Sequence, residues 1–269
     1  MIPNELPSAL LLFPPLPLKL VPLAIVALNW AIWLERTYHL KHCATPPPWE
    51  TTSDRLFHRA LGLIPVGPKR ATSRSVVDFL AAPHPNTALF FTDGSAIPNP
   101  GPSGAGVFCQ LPPSLGGGEI AISVSTGENS NNIGEMTALL AGAAVASALT
   151  TDVPNTFAAF FSDSAISIGH ILHGWAFGED IHLGRETRLA IGSLIVSKRA
   201  SLDWVRGHDN IMGNDRADAL AKTGARSAMH LTPIRHFRAS FPRSLPRLLV
   251  RNVLSGLRRF GFISNGPPT

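Results

Sequence analysis

Four carboxylates, Asp93, Glu135, Asp163 and Asp218, stand in this 269-residue chain where packing alone would not put them. Asp93 ends the apolar run "TALFFTD" and Asp163 ends "FAAFFSD". Glu135 is expected in the first turn of the Ala/Leu-rich "NNIGEMTALLAGAAVASALT", and Asp218 lies in "GNDRADALAKTG". A carboxylate at the end of a core strand is costly to desolvate unless a cation or a hydrogen-bond network compensates it. Strand ends and helix starts are also where α/β folds expose site residues. If the two Asp-terminated strands are neighbours, Asp93 and Asp163 converge at one edge, and a helix on either side leans a further acid over them. Such a cluster repels itself unless divalent cations bind it, and oxygen-only ligands favour magnesium over zinc. Each acid taken singly has an ordinary role: Asp93-Gly94 a turn, Glu135 a helix-dipole partner, Asp163 the N-cap of "SAISIGHIL", Asp218 a partner of Arg216 or Lys222.

The elements that must position these acids follow from periodicity. "TALFFTDGS", "GAGVFCQL" and "GGEIAISVSTG" read as strands separated by Gly/Pro turns, as in a meander. A long helix follows, with Asn131 or Asn132 as its N-cap. "NTFAAFFSDS" is a fourth strand, "RETRLAIGSLIVSK" a helix, "ASLDWVRGH" a strand and "GNDRADALAKTGARSA" an Ala-rich helix. The order is that of an α/β domain with a mixed sheet.

Charge is uneven along the chain. Residues 1–86 carry 8 Lys/Arg against 5 Asp/Glu, residues 87–228 carry 8 against 13, and residues 229–269 carry 7 Arg and no acid. An acidic centre that meets nucleic acid needs metal ions between them, whereas an arginine tail holds phosphates directly. Two cysteines, Cys43 and Cys109, make neither a disulfide framework nor a zinc motif, which points to a reducing, intracellular setting. The apolar start, whose longest unbroken piece runs from Val21 to Leu34, falls short of the roughly 20 residues of a membrane span. The only early charge, Glu5, does not fit a secretory signal. A membrane role is therefore not expected.

Four stretches together resemble the type 1 ribonuclease H family: "TDGSAIPNPGPSGAGV", "NNIGEMTALLAG", "FFSDSAISI" and "WVRGHDNIMGNDRADALA", in the family's order over about half the chain. The resemblance implies a ribonuclease H-like fold, with a mixed five-stranded sheet in the order βββαβαβα. It also implies cleavage of the RNA strand of RNA/DNA hybrids to 5′-phosphate and 3′-hydroxyl products. Carried over residue by residue, it makes Asp93, Glu135, Asp163 and Asp218 ligands of two magnesium ions, with manganese as a substitute, and His208 a catalytic residue that helps move protons. It assigns Asn99, Asn131 and Asn132 to the hybrid's minor groove, with Ser95 and Ser164 beside the metal ligands. Ala165 stands where the family often has Gln, and no Lys/Trp-rich insertion lies between Asp163 and Trp204. "LNWAIWLERTYHLKH" resembles the segment preceding the ribonuclease H domain of LINE-type retrotransposon polyproteins. The expected organisation is a connector (1–86), a ribonuclease H domain (87–228) and an Arg-rich tail (229–269) that is mobile and grips nucleic-acid backbone. The rival expectation is a module of the same fold that binds nucleic acid with little cleavage.

Overall fold

The computed structural model describes residues 73–175, 177–207, 209–228 and 237–263. The apolar N-terminal stretch, the LINE-like segment, His208 and Arg235 lie outside the described residues. The chain divides into two units, residues 1–66 with Leu172–Trp175, and Gly67–Ile171 with Ala176–Thr269. The second unit carries the site.

Its elements are α1 (Ser73–Ala81), β1 (Thr87–Ala96), β2 (Gly101–Gln110), β3 (Glu119–Asn129), α2 (Asn131–Asp152), β4 (Phe157–Ser162), α3 (Ala165–Leu172), α4 (Ile181–Val196), β5 (Ala200–Trp204), α5 (Met212–Ala228), β6 (Phe237–Ser240) and α6 (Arg247–Arg259). The strands form one mixed sheet in the order β5-β4-β1-β2-β3-β6. β1 is central, antiparallel to β2 and parallel to β4, and nearly every residue in it is buried. That explains its unbroken apolar run, because a strand covered on both faces has no polar side to alternate with.

Successive side chains on β1 point to opposite faces. Thr92 and its neighbours Val107 and Phe160 face α2, where a Cβ on Gly142 would meet all three, and Phe90 stacks on Phe160 with centroids 4.7 Å apart. Phe91 faces the other way, against Gly213 of α5, in a cluster with Phe108, Phe161, Val205 and Ala217. Val76 and Leu80 of α1 pack into this second cluster, so the compact unit includes residues before Asn86.

α2 is apolar around most of its circumference, and a helix of that kind must be covered on every side. The sheet covers one side, and α4 and α6 pack against the helix as well. α2 is long and apolar enough to cross a membrane, but most of it is buried inside this fold.

The structure corrects several expectations. The sheet has six strands rather than five, because Phe237–Ser240 of the tail pairs antiparallel with β3. The tail is not a mobile extension over its described part: Leu245, Leu249, Val253, Leu257 and Phe262 are all buried. The helix pattern was in the sequence, since Leu245, Leu249, Val253 and Leu257 recur every four residues, but Pro246 and the arginines around them hid it. Ser130, not Asn131 or Asn132, caps α2, its hydroxyl accepting from the Ile133 amide at 3.4 Å. Glu135 consequently falls just past the first turn rather than in it. β1 also runs on beyond Asp93 to Ala96, held by β2.

Leu257 is fully buried on α6. Leu257→Ala is expected to destabilise the protein by about 2–5 kcal/mol, the usual range for a buried leucine truncation. Denaturant titration checks this, whereas an unpacked tail would leave the midpoint unchanged.

Candidate active site

The site begins with a crossing of two backbones. A Cβ on Gly94 would lie 2.2 Å from the Glu135 nitrogen and 2.6 Å from the Asn131 carbonyl oxygen. One on Gly134 would lie 2.6 Å from the Gly104 oxygen. Real Cβ atoms do not approach backbone so closely, so only glycine lets β1 and the start of α2 touch here. The contact sets Glu135 directly above Asp93, one residue before Gly94. On the other face a Cβ on Gly106 would lie 2.1 Å from the Ala217 oxygen, so α5, carrying Asn214 and Asp218, lies equally close to β2.

The parallel strands supply the rest. Pairing of β1 with β4 ends at Thr92 with Ser162, and pairing of β4 with β5 ends at Ser162 with Trp204. Asp93 and Asp163 are the next residues along, at the carboxyl edge of adjacent strands. One carboxylate oxygen from each of Asp93, Glu135 and Asp163 lies within 4.8 Å of the others.

Asp93 and Glu135 are 7% and 3% exposed, and Asp163 is half-buried. Burial first, and then the charge of Asp163, pushes Asp93 up to about 7. Glu135 is held well above the usual carboxylate range by burial and by the charges of Asp93 and Asp163. Its Oε2 is buried with no hydrogen-bond partner. An orphaned carboxylate oxygen inside an all-oxygen cluster fits a hard divalent cation.

Hydrogen bonds fix the remaining members. The Gly94 amide donates to Asp93 Oδ1 at 2.8 Å. Asn214 Nδ2 donates to Asp163 Oδ2 at 3.2 Å, and Trp204 Nε1 donates to the Asp163 carbonyl at 3.0 Å. A Cβ on Gly207 would lie 2.6 Å from Asp163 Oδ2, so this glycine keeps the carboxylate's space open. Asp218 stands outside the group of three, its Oδ2 accepting from Lys222 Nζ at 2.7 Å, one helical turn away. It is close enough to add to the repulsion on Asp93.

Three of the expected substrate residues, Asn99, Asn131 and Asn132, gather around the start of α2. Asn99 Oδ1 accepts from the Asn131 amide at 3.0 Å, tying the β1–β2 turn to the helix. Asn132 Nδ2 donates to Glu179 Oε1 at 3.0 Å, and the Ser130 hydroxyl donates to Glu179 Oε2. Ser95 is buried two residues beyond Asp93. Ser164, not Asp163, caps α3, its Oγ accepting from the Ser167 amide at 3.2 Å. His208 is outside the described residues. Asn214, Trp204 and Gly207 support Asp163, a role that only the folded contacts reveal. Glu179 carried no sequence signal, because only folding brings it to Ser130 and Asn132.

The metal-free protein should show the strain of these acids as a pH effect. Asp93 holds its proton up to about pH 7 when folded, against 3.8 ordinarily. Between those values the folded state binds the extra proton, so stability falls as pH rises through the window and levels off above it. Melting in chelator is expected to show Asp93→Asn stabilised relative to wild type at pH 8, with the difference shrinking by pH 5. A constant difference would contradict the assignment.

Residues 85–226 match the family model of RNase H. The ribonuclease H of Polaromonas naphthalenivorans (strain CJ2) is 31% identical over 159 residues, covering 54% of this chain and 91% of that protein. The ribonuclease H of Polaromonas sp. (strain JS666) is 30% identical over 158 residues, covering 52% and 89%. Among solved structures, LC11-RNase H1 from compost aligns with a TM-score of 0.43 at 21% identity, covering 54% of this chain and 99% of that one. With a family match spanning more than half its length and the acids of that match gathered at one sheet edge, this chain belongs to the RNase H family.

Proposed function

We propose that this chain is a divalent-metal-dependent endonuclease that hydrolyses the RNA strand of RNA/DNA hybrids, leaving 5′-phosphate and 3′-hydroxyl ends. The observation that carries this is the trio Asp93, Glu135 and Asp163, with oxygens within 4.8 Å of one another. A domain that only binds a phosphate backbone gains nothing from buried carboxylates facing it, since they repel the ligand. Membership of the RNase H family supports the reading.

Asp93, Glu135 and Asp163 would hold the metal, with Asp218 at the margin, and the donor set favours magnesium, with manganese as a substitute. When bound, a pair of such ions supplies an activated water and stabilises the leaving 3′-oxygen of an in-line displacement. The protein's own part is positioning. Asn214 and Gly207 hold the Asp163 carboxylate in one orientation, and the Gly94 amide does the same for Asp93. Asn99, Asn131 and Asn132 stand beside the acids at the start of α2, where an amide can both donate to and accept from a 2′-hydroxyl, the group that distinguishes RNA from DNA. Ser95, two residues beyond Asp93, and Ser164, next to Asp163, complete the proposed substrate-binding set. His208 completes the proposed catalytic set as the residue that helps move protons.

Asp93→Asn keeps the shape of the side chain and removes its charge. With a labelled hybrid and millimolar magnesium, wild type is expected to release product, and the variant to lose at least about a thousandfold in rate (~4 kcal/mol of transition-state stabilisation). In chelator the variant should melt no lower than wild type. Binding without cleavage by wild type, with or without magnesium, would instead favour a binding module of the same fold.

A further inference from the structure

The arginines of α6 form a rail. With 3.6 residues per turn, Arg247, Arg251 and Arg258 fall within an arc of about 40° on the helix. All three are exposed, on the side away from the buried Leu249, Val253 and Leu257. At a rise of 1.5 Å per residue they spread over about 16 Å of axis. No Asp or Glu occurs from residue 229 to 269, and among the described residues none of the three arginines has an ion-pair partner.

The direction of the rail is set by packing. Asn252 Nδ2 donates to Asp152 Oδ2 at 2.7 Å at the far end of α2, and Gly256 lies against Ala144 near its middle. Just past α6, Phe260 and Phe262 share a cavity of about 330 Å³ with Ile133 and Thr137 near the start of α2. α6 therefore runs antiparallel to α2, and Arg258 is the rail residue nearest the end that carries Glu135.

We propose that this face of α6 binds the sugar-phosphate backbone of the nucleic acid whose hybrid segment occupies the carboxylate site. The proposal rests on the hybrid reading above and extends it to a second surface. Residues 87–228 carry 8 basic against 13 acidic side chains, so the domain as a whole repels a polyanion. The rail reverses that locally. One strand presents a phosphate every 3.4 Å of duplex axis, so a rail of about 16 Å faces roughly five of them. An anionic membrane surface would also attract arginines, but a helix that binds membrane must insert its apolar face. Here Leu249, Val253 and Leu257 are already buried in the fold, and Leu248 is a lone exposed leucine rather than an apolar face.

The test is Arg247→Gln/Arg251→Gln/Arg258→Gln in the full chain. Hybrid affinity is measured against salt in an Asp93→Asn background that leaves the hybrid uncut, and turnover is measured with Asp93 intact. Each phosphate contact contributes about 0.9 to the slope of log affinity against log salt on B-form duplex. The triple variant is expected to lose roughly 2 to 3 from that slope, with melting and turnover at saturating hybrid unchanged. An unchanged slope in a folded triple variant would overturn the rail, as would binding to anionic vesicles that depends on the three arginines while hybrid binding does not. Absence of hybrid binding by the Asp93→Asn protein would also overturn it. A rail-dependent slope in a protein that never cleaves hybrid would instead overturn the nuclease reading and leave the rail standing.

Discussion

The site depends on one steric constraint, that two backbones must touch. Where β1 passes beneath the start of α2, Gly94 faces the Asn131 carbonyl and the Glu135 amide, and Gly134 faces the Gly104 carbonyl. A methyl group at any of these points would overlap main-chain atoms, which cannot swing aside as a side chain can. The strand and helix would have to separate, and Glu135 would lift away from Asp93. The same device recurs on the opposite face, where Gly104 and Gly106 admit the alanine-lined side of α5. The glycines therefore determine how closely the acids gather, and the acids' raised proton affinities follow from that distance and from burial.

Holding like charges together in a dry place is unfavourable, so something else in the fold must offset it. Much of that offset lies in α2, which buries an apolar surface on nearly all sides. The sheet covers one side, and α4 and α6 pack against the helix elsewhere. α6 thus does two things with opposite faces. Its leucines and valine help bury the helix that carries Glu135, and its arginines give an acidic domain a basic flank. The C-terminal segment is structural as well as electrostatic, and removing it would not isolate the second role from the first.

The strands and helices that carry the acids were legible in the sequence from their periodicity, whereas the acids themselves stood out only as a set: each alone has an ordinary role, and it is the glycine and asparagine motifs around them, in the family's order, that single them out. Boundaries were less legible. Gly, Pro and Asn after Asp93 predict a strand terminus there, yet β2 carries the pairing on to Ala96. Ser130 and Ser164 took the capping roles expected of Asn131 or Asn132 and of Asp163, a matter of one residue that periodicity does not resolve. β6 and α6 were missed for a different reason. Their apolar positions are spaced for a helix, but seven arginines and several prolines gave the segment the composition of a tail, and composition outweighed period.

Contacts between distant segments were beyond any sequence argument. Glu179 lies 47 residues from Asn132, yet its two oxygens take the Asn132 amide and the Ser130 hydroxyl at the start of α2. A helix N-terminus attracts negative charge through its dipole. That attraction accounts for a carboxylate settling there, and it bears on the substrate as well. The same dipole would attract a phosphate, and Glu179 occupies the Asn132 side-chain Nδ2 and the Ser130 hydroxyl, polar groups that a nucleic-acid strand would otherwise use. The start of α2 is therefore where the domain's surplus of acid meets the residues assigned to RNA. Cations held by Asp93, Glu135 and Asp163 would reverse the local sign at that point, as the arginines of α6 do farther along the same helix.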